Sequence, residues 1–546
     1  MADSRPSLAE DVERQRYATV LRTAGRVAAA QDIEAYLVGG AVRDMLLERP
    51  TTDLDFVTVG SGSGIRLAEA VSEELGGQTV HVYPKFGTAA IRVHDSQVDE
   101  PFVLEFVGAR TESYRRSSRK PIVEEGTLMD DLRRRDFTVN AMAMTLDPNA
   151  FGKLIDPFDG LHDLSDRLIR TPLDPEATFD DDPLRMVRAA RFAAQLRFRI
   201  DDAARTAMQS RSERVDILSQ ERITDELQKM ICVAEPSVGF RILFETGLLH
   251  HILPELVELQ GVEAVDGHRH KDNFFHTLQV LDNLAAMTSE RDEEETRYLR
   301  WAALLHDIGK PVTKRFSRSA GWTFHGHEDL GARMIPGLFK RLKLPSDDRM
   351  KYVRKLILLH HRPVALVDEE VTDSAVRRLL FEAGDDIDDL MTLVRADITS
   401  KNPRRVQRYL NAFDRVEQKL YRVEEEDRLR NFQPPVDGYE IMETLGITEG
   451  VSIGIIKEAI REAILDGRIP NEHDAAFDLM MSMKEDALRR GDLFEEVIQD
   501  LRGRERAATG AIKEEIFRGD LPRDHDAAYR HLMRIKENVL EERQES

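Results

Sequence analysis

The stretch YLVGGAVRDMLLERPTTDLDFVTVG, residues 36–60, decides how the N-terminal part of this chain folds. Its opening YLV reads as a short apolar strand, the Gly39–Gly40 pair breaks it, and AVRDMLL continues at helical spacing. LDFVTVG then reads as a second strand, so the stretch predicts strand, tight turn, helix, strand. Asp53 and Asp55 stand two apart in that second strand. A period of two sends both carboxylates to one face, about 6 to 7 Å apart along the chain. Such a pair suits one or two divalent cations, because Mg²⁺ takes hard oxygen ligands and shares its shell with substrate phosphates. An isolated DxD is more often a strand end with two solvated acids, and glycosyltransferases use the same pattern. The glycine pair 13 residues before Asp53 reverses that balance. Bare backbone N–H groups at a helix start can hold a triphosphate. Arg43, one turn in, either adds charge near the phosphates or pairs with Asp44.

Outward from this stretch, residues 16–31 and 64–75 have the periodicity of amphipathic helices, and TVHVY (79–83), TAAIRVH (88–94) and FVLEFVG (102–108) read as strands. The expectation is an α+β head with a mixed sheet over residues 1–165. After DPFDG (156–160) strand-like runs almost vanish. The remainder divides into a helical neck (166–238), a histidine-rich helical domain (239–430) and a helical tail (431–546) that starts at the linker NFQPPVDG. The tail contains a repeat: residues 460–485 recur at an offset of 52 as 512–537, with Gly467, Pro470, His473 and Asp474 matching Gly519, Pro522, His525 and Asp526. Two copies are too few for a solenoid and read as duplicated helical hairpins used for docking.

Composition bounds the function. The 546 residues suggest about three or four domains, and 41% hydrophobic residues exclude wholesale disorder. With 78 Lys and Arg against 100 Asp and Glu, the formal charge is −22, so any nucleic acid must be held by a local basic surface. The single cysteine, Cys232, excludes a disulfide framework and a Cys-rich zinc module. MADSRPSLAEDVERQ has no apolar h-region and no 18-residue apolar run occurs, so a cytoplasmic protein without membrane contact is expected, its oligomeric state open.

Two further clusters supply basic groups. Arg110, Arg115, Arg116, Arg119, Lys120, Arg133, Arg134 and Arg135 lie around MDDLRRRDFTVNAMAM (129–144), where three arginines directly precede an apolar run. They read as phosphate or RNA contacts in preference to a solvated loop. In DDPLRMVRAARFAAQLRF (181–198), Asp182, Arg185, Arg188 and Arg191 recur at three-residue steps and would form one polar ridge on a helix. A carboxylate and a guanidinium on one ridge can read a base edge, the first accepting from an exocyclic amino group and the second donating to a ring nitrogen or carbonyl. An ordinary intrahelical ion pair is the equal alternative.

In order and spacing these motifs, with ERITDEL (221–227), resemble class II tRNA nucleotidyltransferases and bacterial poly(A) polymerases, over roughly residues 30–235. The resemblance implies a polymerase-β-like head followed by all-α neck, HD and tail domains. It implies Asp53 and Asp55 as Mg²⁺ ligands, with Glu105 as third catalytic carboxylate, and Gly39, Gly40 and Arg43 as triphosphate and ribose contacts. Arg134, Arg135 and Asp136 form the second motif, with Arg110 and Asn140 in the nucleotide site. Asp182 and Arg185 become the protein template for the base, flanked by Arg188 and Arg191. The family's Glu-Asp before the template helix is Asp181-Asp182 here. The implied reaction adds C and A to the 3′ end of tRNA from CTP and ATP; CC-only, A-only and poly(A) addition stay open.

A second constellation lies between 270 and 400: His276, His306-Asp307, His325, His327, His360-His361 and Asp397. His306-Asp307 ends the apolar run YLRWAALLHDIGK, where a buried ionisable pair requires compensation. The array resembles the HD phosphohydrolase superfamily. That resemblance implies a metal shell of His276, His306, Asp307 and Asp397, with His327, His360 and His361 supplying a second ion. Neutral imidazole suits Mn²⁺, Fe²⁺, Ni²⁺ or Zn²⁺ better than Mg²⁺.

Overall fold

The structure, a computed structural model, describes residues 7–545 except 52, 85–86, 95–100, 114–121, 262–263, 266–267, 270–271, 320, 368–371, 401, 428–429, 431 and 502. It forms two compact units, Met1–Met350 and Lys351–Ser546. The division falls inside the segment 239–430 that the sequence reads as one domain.

The first unit opens with a seven-stranded sheet made of β1 (Glu34–Val38), β2 (Asp53–Val59), β3 (Val80–Tyr83), β4 (Thr88–Val93), β5 (Phe102–Gly108), β6 (Ala143–Thr145) and β7 (Leu154–Ile155). Its order is β3-β4-β5-β2-β1-β6-β7. Only the β2–β5 pair is parallel; the others are antiparallel. Along β2, Leu54 and Phe56 point into the core and Asp53 and Asp55 point away from it. Phe56 stacks on its register partner Phe106 with ring centroids 4.6 Å apart. Helices α1 (Ala18–Ala30) and α2 (Ser63–Glu74) cover this face with Leu21, Ala24, Leu67 and Val71. Fully burying one such aromatic or Leu stabilises by about 1.5–3 kcal/mol, which fixes the register and leaves the acids on the other face.

Past the head, helices α3 (Pro175–Asp181) and α4 (Leu184–Leu196) are separated by Asp182, whose backbone is extended at φ −140° and ψ 99°. The expected continuous ridge from Asp182 to Arg191 is therefore interrupted. Pro183 disfavours the helical region for the residue before it, so Asp182 stands ahead of α4. The stretch expected to be all-helical also carries short β pairings, Leu168–Ile169 with Arg199–Ile200, Ala264–Val265 with His268–Arg269, and Arg315–Ser317 with Gly321–Thr323. Helix α5 (Gln220–Ile231) packs on α4, and α6 (Asn273–Met287), α7 (Glu293–Leu305) and α8 (His327–Arg341) follow.

In the second unit, α9 (Asp373–Ala383) and α10 (Ile387–Ala396) precede the 25-residue α11 (Pro403–Asp427), which buries Phe413, Val416, Leu420 and Val423 on one face. The repeat is two helical hairpins, Val451–Leu465 with His473–Asp500, then Thr509–Arg518 with His525–Glu545. Each turns at its matching glycine, Gly467 at φ +70° and Gly519 at φ +85°. A Cβ would lie 2.5 Å from Arg377 Nη1 at the first and 2.6 Å from Arg490 Nη1 at the second, so an arginine from the preceding layer fills the same notch in each copy. Among the described residues no helix is long and apolar enough to cross a membrane.

Candidate active site

The parallel register of β2 and β5 places Glu105 directly beside Asp55, and the antiparallel register of β1 and β2 places Val38, the residue before Gly39, on its other side. Burial raises the Asp55 carboxyl above its ordinary range, with Asp53 and Asp131 adding repulsion against the attraction of Arg135. Burial likewise raises Glu105, to which Asp55 and Asp53 contribute. Oxygen ligands converging under mutual repulsion are a donor set that fits Mg²⁺.

Gly39 sits at φ +72°, where a Cβ would lie 2.6 Å from Arg135 Nη1 and 3.6 Å from Asp55 Oδ2. The turn, the carboxylate and the arginine thus meet at one point, and only glycine lets them. Arg43 does not extend from the turn into open space. It is 5% exposed, pairs with Asp44 at 2.8 Å and donates to Asn140 Oδ1 at 2.7 Å. Arg134 and Arg135 both pair with Asp131, whose side chain is fully buried. Burial works against ionisation of that carboxyl, but the two guanidiniums hold it below its ordinary value. Arg133 is exposed and Arg110 half-buried, whereas Arg115, Arg116, Arg119 and Lys120 lie outside the described residues.

From Asn140 the network continues inward. Asn140 donates to Asp136 Oδ1 at 3.0 Å, and Arg188 donates to Asp136 Oδ2 at 2.7 Å. Burial opposes the charge on Asp136, yet Arg188 and Asn140 hold its carboxyl down to about 2. Arg188 also reaches Glu226 at 3.2 Å, and Glu226 accepts from Arg191 Nε at 2.5 Å. Arg43, Arg188 and Arg191 all lie over the ring of Phe192, at 5.1, 5.3 and 3.9 Å from its centroid. Arg188 therefore joins head to neck through its pair with Asp136, and Arg191 shares Glu226 with it on the neck side. Sequence reasoning missed Asp131 and Glu226. The signal for Glu226 was an acid among Ile223, Leu227 and Met230 on the buried face of α5.

Asp182 and Arg185 do not pair with each other. Asp182 Oδ2 accepts from Arg222 at 2.9 Å and Oδ1 from the Leu184 amide at 3.2 Å. Arg185 donates to the carbonyls of Thr178 and Arg134. Each side chain is oriented by separate partners.

A second cluster in the same unit centres on Asp307, which is fully buried. His276 Nε2 and His306 Nε2 lie 3.6 and 3.3 Å from its Oδ2, and His327 Nε2 lies 3.5 Å from Oδ1. Lys310 Nζ is 2.6 Å from Oδ2. His306 Nδ1 and His327 Nδ1 donate to the carbonyls of Ala303 and Phe324, both at 2.8 Å. Those bonds orient each ring so that Nε2 faces Asp307, the geometry of histidines that ligate through Nε2. Burial works against its charge, but His306, Lys310 and His276 hold the Asp307 carboxyl well below its usual value. His276, His306 and Asp307 offer ligand atoms within 4.8 Å of one another, a nitrogen-rich set that fits a transition metal better than Mg²⁺. The other expected ligands belong to the second unit: His360 is buried and donates Nδ1 to the Ile357 carbonyl at 2.6 Å, His361 is exposed, and half-buried Asp397 follows α10.

Comparison with known proteins places the chain in a family. Residues 35–170 match the poly(A) polymerase head domain, 197–259 the probable RNA and SrmB-binding site of polymerase A, and 273–394 the HD domain. An A-adding tRNA nucleotidyltransferase of Deinococcus radiodurans is 32% identical over 452 residues, spanning 81% of this chain and 94% of that protein. Among solved structures, a CCA-adding enzyme in complex with CTP shares the fold with a TM-score of 0.59 at 22% identity, covering 88% of this chain and 100% of that one. The Thermotoga maritima CCA-adding enzyme complexed with tRNA gives 0.55 at 20% identity, over 88% and 99%.

Proposed function

Because the chain belongs to the class II tRNA nucleotidyltransferase and bacterial poly(A) polymerase family with an HD domain, we propose that it adds the C and A nucleotides of the CCA end to the 3′ end of tRNA from CTP and ATP. The convergence of Asp53, Asp55 and Glu105 beside the Gly39 turn carries this reading. The RNA 3′-hydroxyl oxygen bonds to the α-phosphorus, the bond to the bridging oxygen breaks, and pyrophosphate leaves with that electron pair. The three carboxylates would hold Mg²⁺, which when bound supplies acidification of the hydroxyl and offsets charge on the transferring group. Gly39 and Gly40 let the triphosphate approach the backbone, with Arg135 beside them. Asp182 and Arg185 face the base edge, and Arg43, Asn140, Asp136, Arg188 and Arg191 hold that wall to the head. The experiment is incubation with tRNA lacking one, two or three terminal nucleotides and each labelled NTP. CCA addition gives C on the shortest tRNA, A only after CC, and then a stop; continued A incorporation on unrelated RNA would overturn it.

The likeness to the A-adding enzyme favours a second reading, addition of the terminal A alone. In that case only tRNA already ending in CC is extended.

Replacing Asp182 or Arg185 by Ala should cost tenfold to hundredfold in discrimination against UTP and GTP, from the loss of one charge-assisted hydrogen bond of about 1.5–3 kcal/mol. Stability should hardly change, since Arg222, the partner of Asp182, is half exposed. Incorporation of all four nucleotides scaled down equally would remove the template role.

For the HD region we propose a metal centre on His276, His306, Asp307 and His327, able when loaded to hydrolyse a phosphate ester such as a 2′,3′-cyclic nucleotide. The full chain with Mn²⁺ or Ni²⁺ tests it; no hydrolysis with any metal would reduce the region to a scaffold. Gly309 lets α8 approach: a Cβ there would overlap the His327 carbonyl and lie 2.8 Å from the Gly331 amide. Gly309→Ala should abolish Mn²⁺ binding in calorimetry, cost about 1–3 kcal/mol of stability, and leave tRNA extension intact.

A further inference from the structure

A chain of net charge −22 that holds tRNA needs a local basic surface. The cluster around residues 110–135 supplies less of one than its composition promises, because Arg134 and Arg135 share the buried Asp131, which cancels one of their two charges. A different segment has the required character. Residues 398–413, ITSKNPRRVQRYLNAF, contain four basic residues and no acid, in a chain where 100 of 546 residues are acidic.

Arg404, Arg405 and Arg408 are all exposed in the first two turns of α11, whose burial begins only further along, at Ala412, Phe413 and Val416. None of the three has a carboxylate within ion-pair distance among the described residues. Cations elsewhere in this unit do: Arg395 with Asp414 and Glu417, and Lys419 and Arg422 with Asp373. Positive charge in the first turn also opposes the helix macrodipole, so local helix stability does not account for these arginines. Asn402 Oδ1 already accepts from the Arg404 and Arg405 amides, so the surface rests on side chains and not on open backbone groups. Tyr409 lies under Arg405 and Arg408, 5.7 and 5.6 Å from ring centroid to guanidinium carbon, and a hydrogen bond from Arg405, with the charge of both arginines, pulls its phenol below the usual range.

We infer that Arg404, Arg405, Arg408 and Tyr409 form a contact surface for the phosphodiester backbone of the tRNA substrate, remote in sequence from the nucleotide site. The inference rests on the tRNA reading above and names where that substrate is gripped. Guanidiniums without acid partners release counterions from phosphates when they bind, and the half-buried Tyr409 ring beside them can stack on an unpaired base.

The test is the full chain carrying Arg404→Ala, Arg405→Ala and Arg408→Ala together, measured by direct binding to radiolabelled tRNA without NTP and by steady-state extension. Expected are a tRNA Kd weakened about tenfold or more near 0.15 M salt and a slope of log K against log salt reduced by about 2 to 3. The KM for ATP, kcat at saturating tRNA and Tm should stay as in the parent. The triple Lys variant should restore the salt slope. An unchanged Kd and slope would overturn the surface, as would unchanged RNA affinity with a shifted sedimentation coefficient, which would assign the face to a second copy of the chain. Failure of the parent protein to extend any tRNA would instead overturn the reading on which the inference rests.

Discussion

Asp55→Asn should lower nucleotide incorporation by at least about a thousandfold while the protein remains folded and melts about 1 to 2 °C higher. The loss follows from placement: Asp55 lies between Asp53 on its own strand and Glu105 on the neighbouring one, where a cation and the α-phosphate would meet. The gain in stability follows from the same placement. Burial raises the Asp55 carboxyl and the neighbouring acids add to it, so at neutral pH the folded state carries a charge it disfavours. A group with a raised folded pKa binds protons more readily folded than unfolded, so this destabilisation is present at neutral pH and fades as pH falls through the raised value. Asparagine removes it at every pH. Labelled ATP incorporation on tRNA and a melting curve at pH 7 decide the matter. Retention of more than a few per cent activity, or a large fall in Tm, would show that Asp55 serves the fold and not the chemistry.

Glu226→Ala should be the most destabilising single change in the neck, about 3 to 5 kcal/mol and roughly 10 °C in Tm. Glu226 is 2% exposed and accepts from both Arg188 and Arg191, the latter 7% exposed. Its removal leaves Arg191 charged, buried and, among the described residues, with only Gln195 as a remaining side-chain acceptor. Glu226→Gln keeps the shape and two hydrogen-bonding atoms and should fall between. The comparison is Glu245→Ala, which breaks the exposed pair with Arg205 and should cost no more than about 1 kcal/mol. Equal effects of the two alanine variants in thermal denaturation would show that the buried network does not hold head and neck together.

What was legible in the sequence was local. The alternation of LDFVTVG placed Asp53 and Asp55 on one face because strand period alone decides that, and the double glycine announced a turn because no other residue tolerates Gly39's backbone beside Arg135. Glu105 was assigned only through the family pattern, since its position beside Asp55 depends on pairing two strands 50 residues apart. The polar ridge went astray for a local reason: periodicity was carried through Pro183, whose effect on Asp182 outweighs the three-residue spacing. The fate of the arginines was the least legible part. An Arg that reads as a phosphate ligand and one that neutralises a buried acid are the same letter, and only the partners, Asp131, Asp136 and Glu226, distinguish them. For the histidines, spacing suggested the set, while the carbonyls that orient each ring come from backbone folded around them.

The line of contacts Asp44–Arg43–Asn140–Asp136–Arg188–Glu226–Arg191 also bears on how such enzymes can be recombined. A crossover placed in the linker between residues 165 and 175 looks harmless by chain topology, yet it would separate Asp136 from Arg188 and pair each with a partner from another lineage. Any mismatch in length or charge would strand an ion in the interior. Head and neck would therefore have to be exchanged as one block, while positions outside that line, such as the partly exposed Asp182–Arg222 pair, could differ without stranding a buried charge.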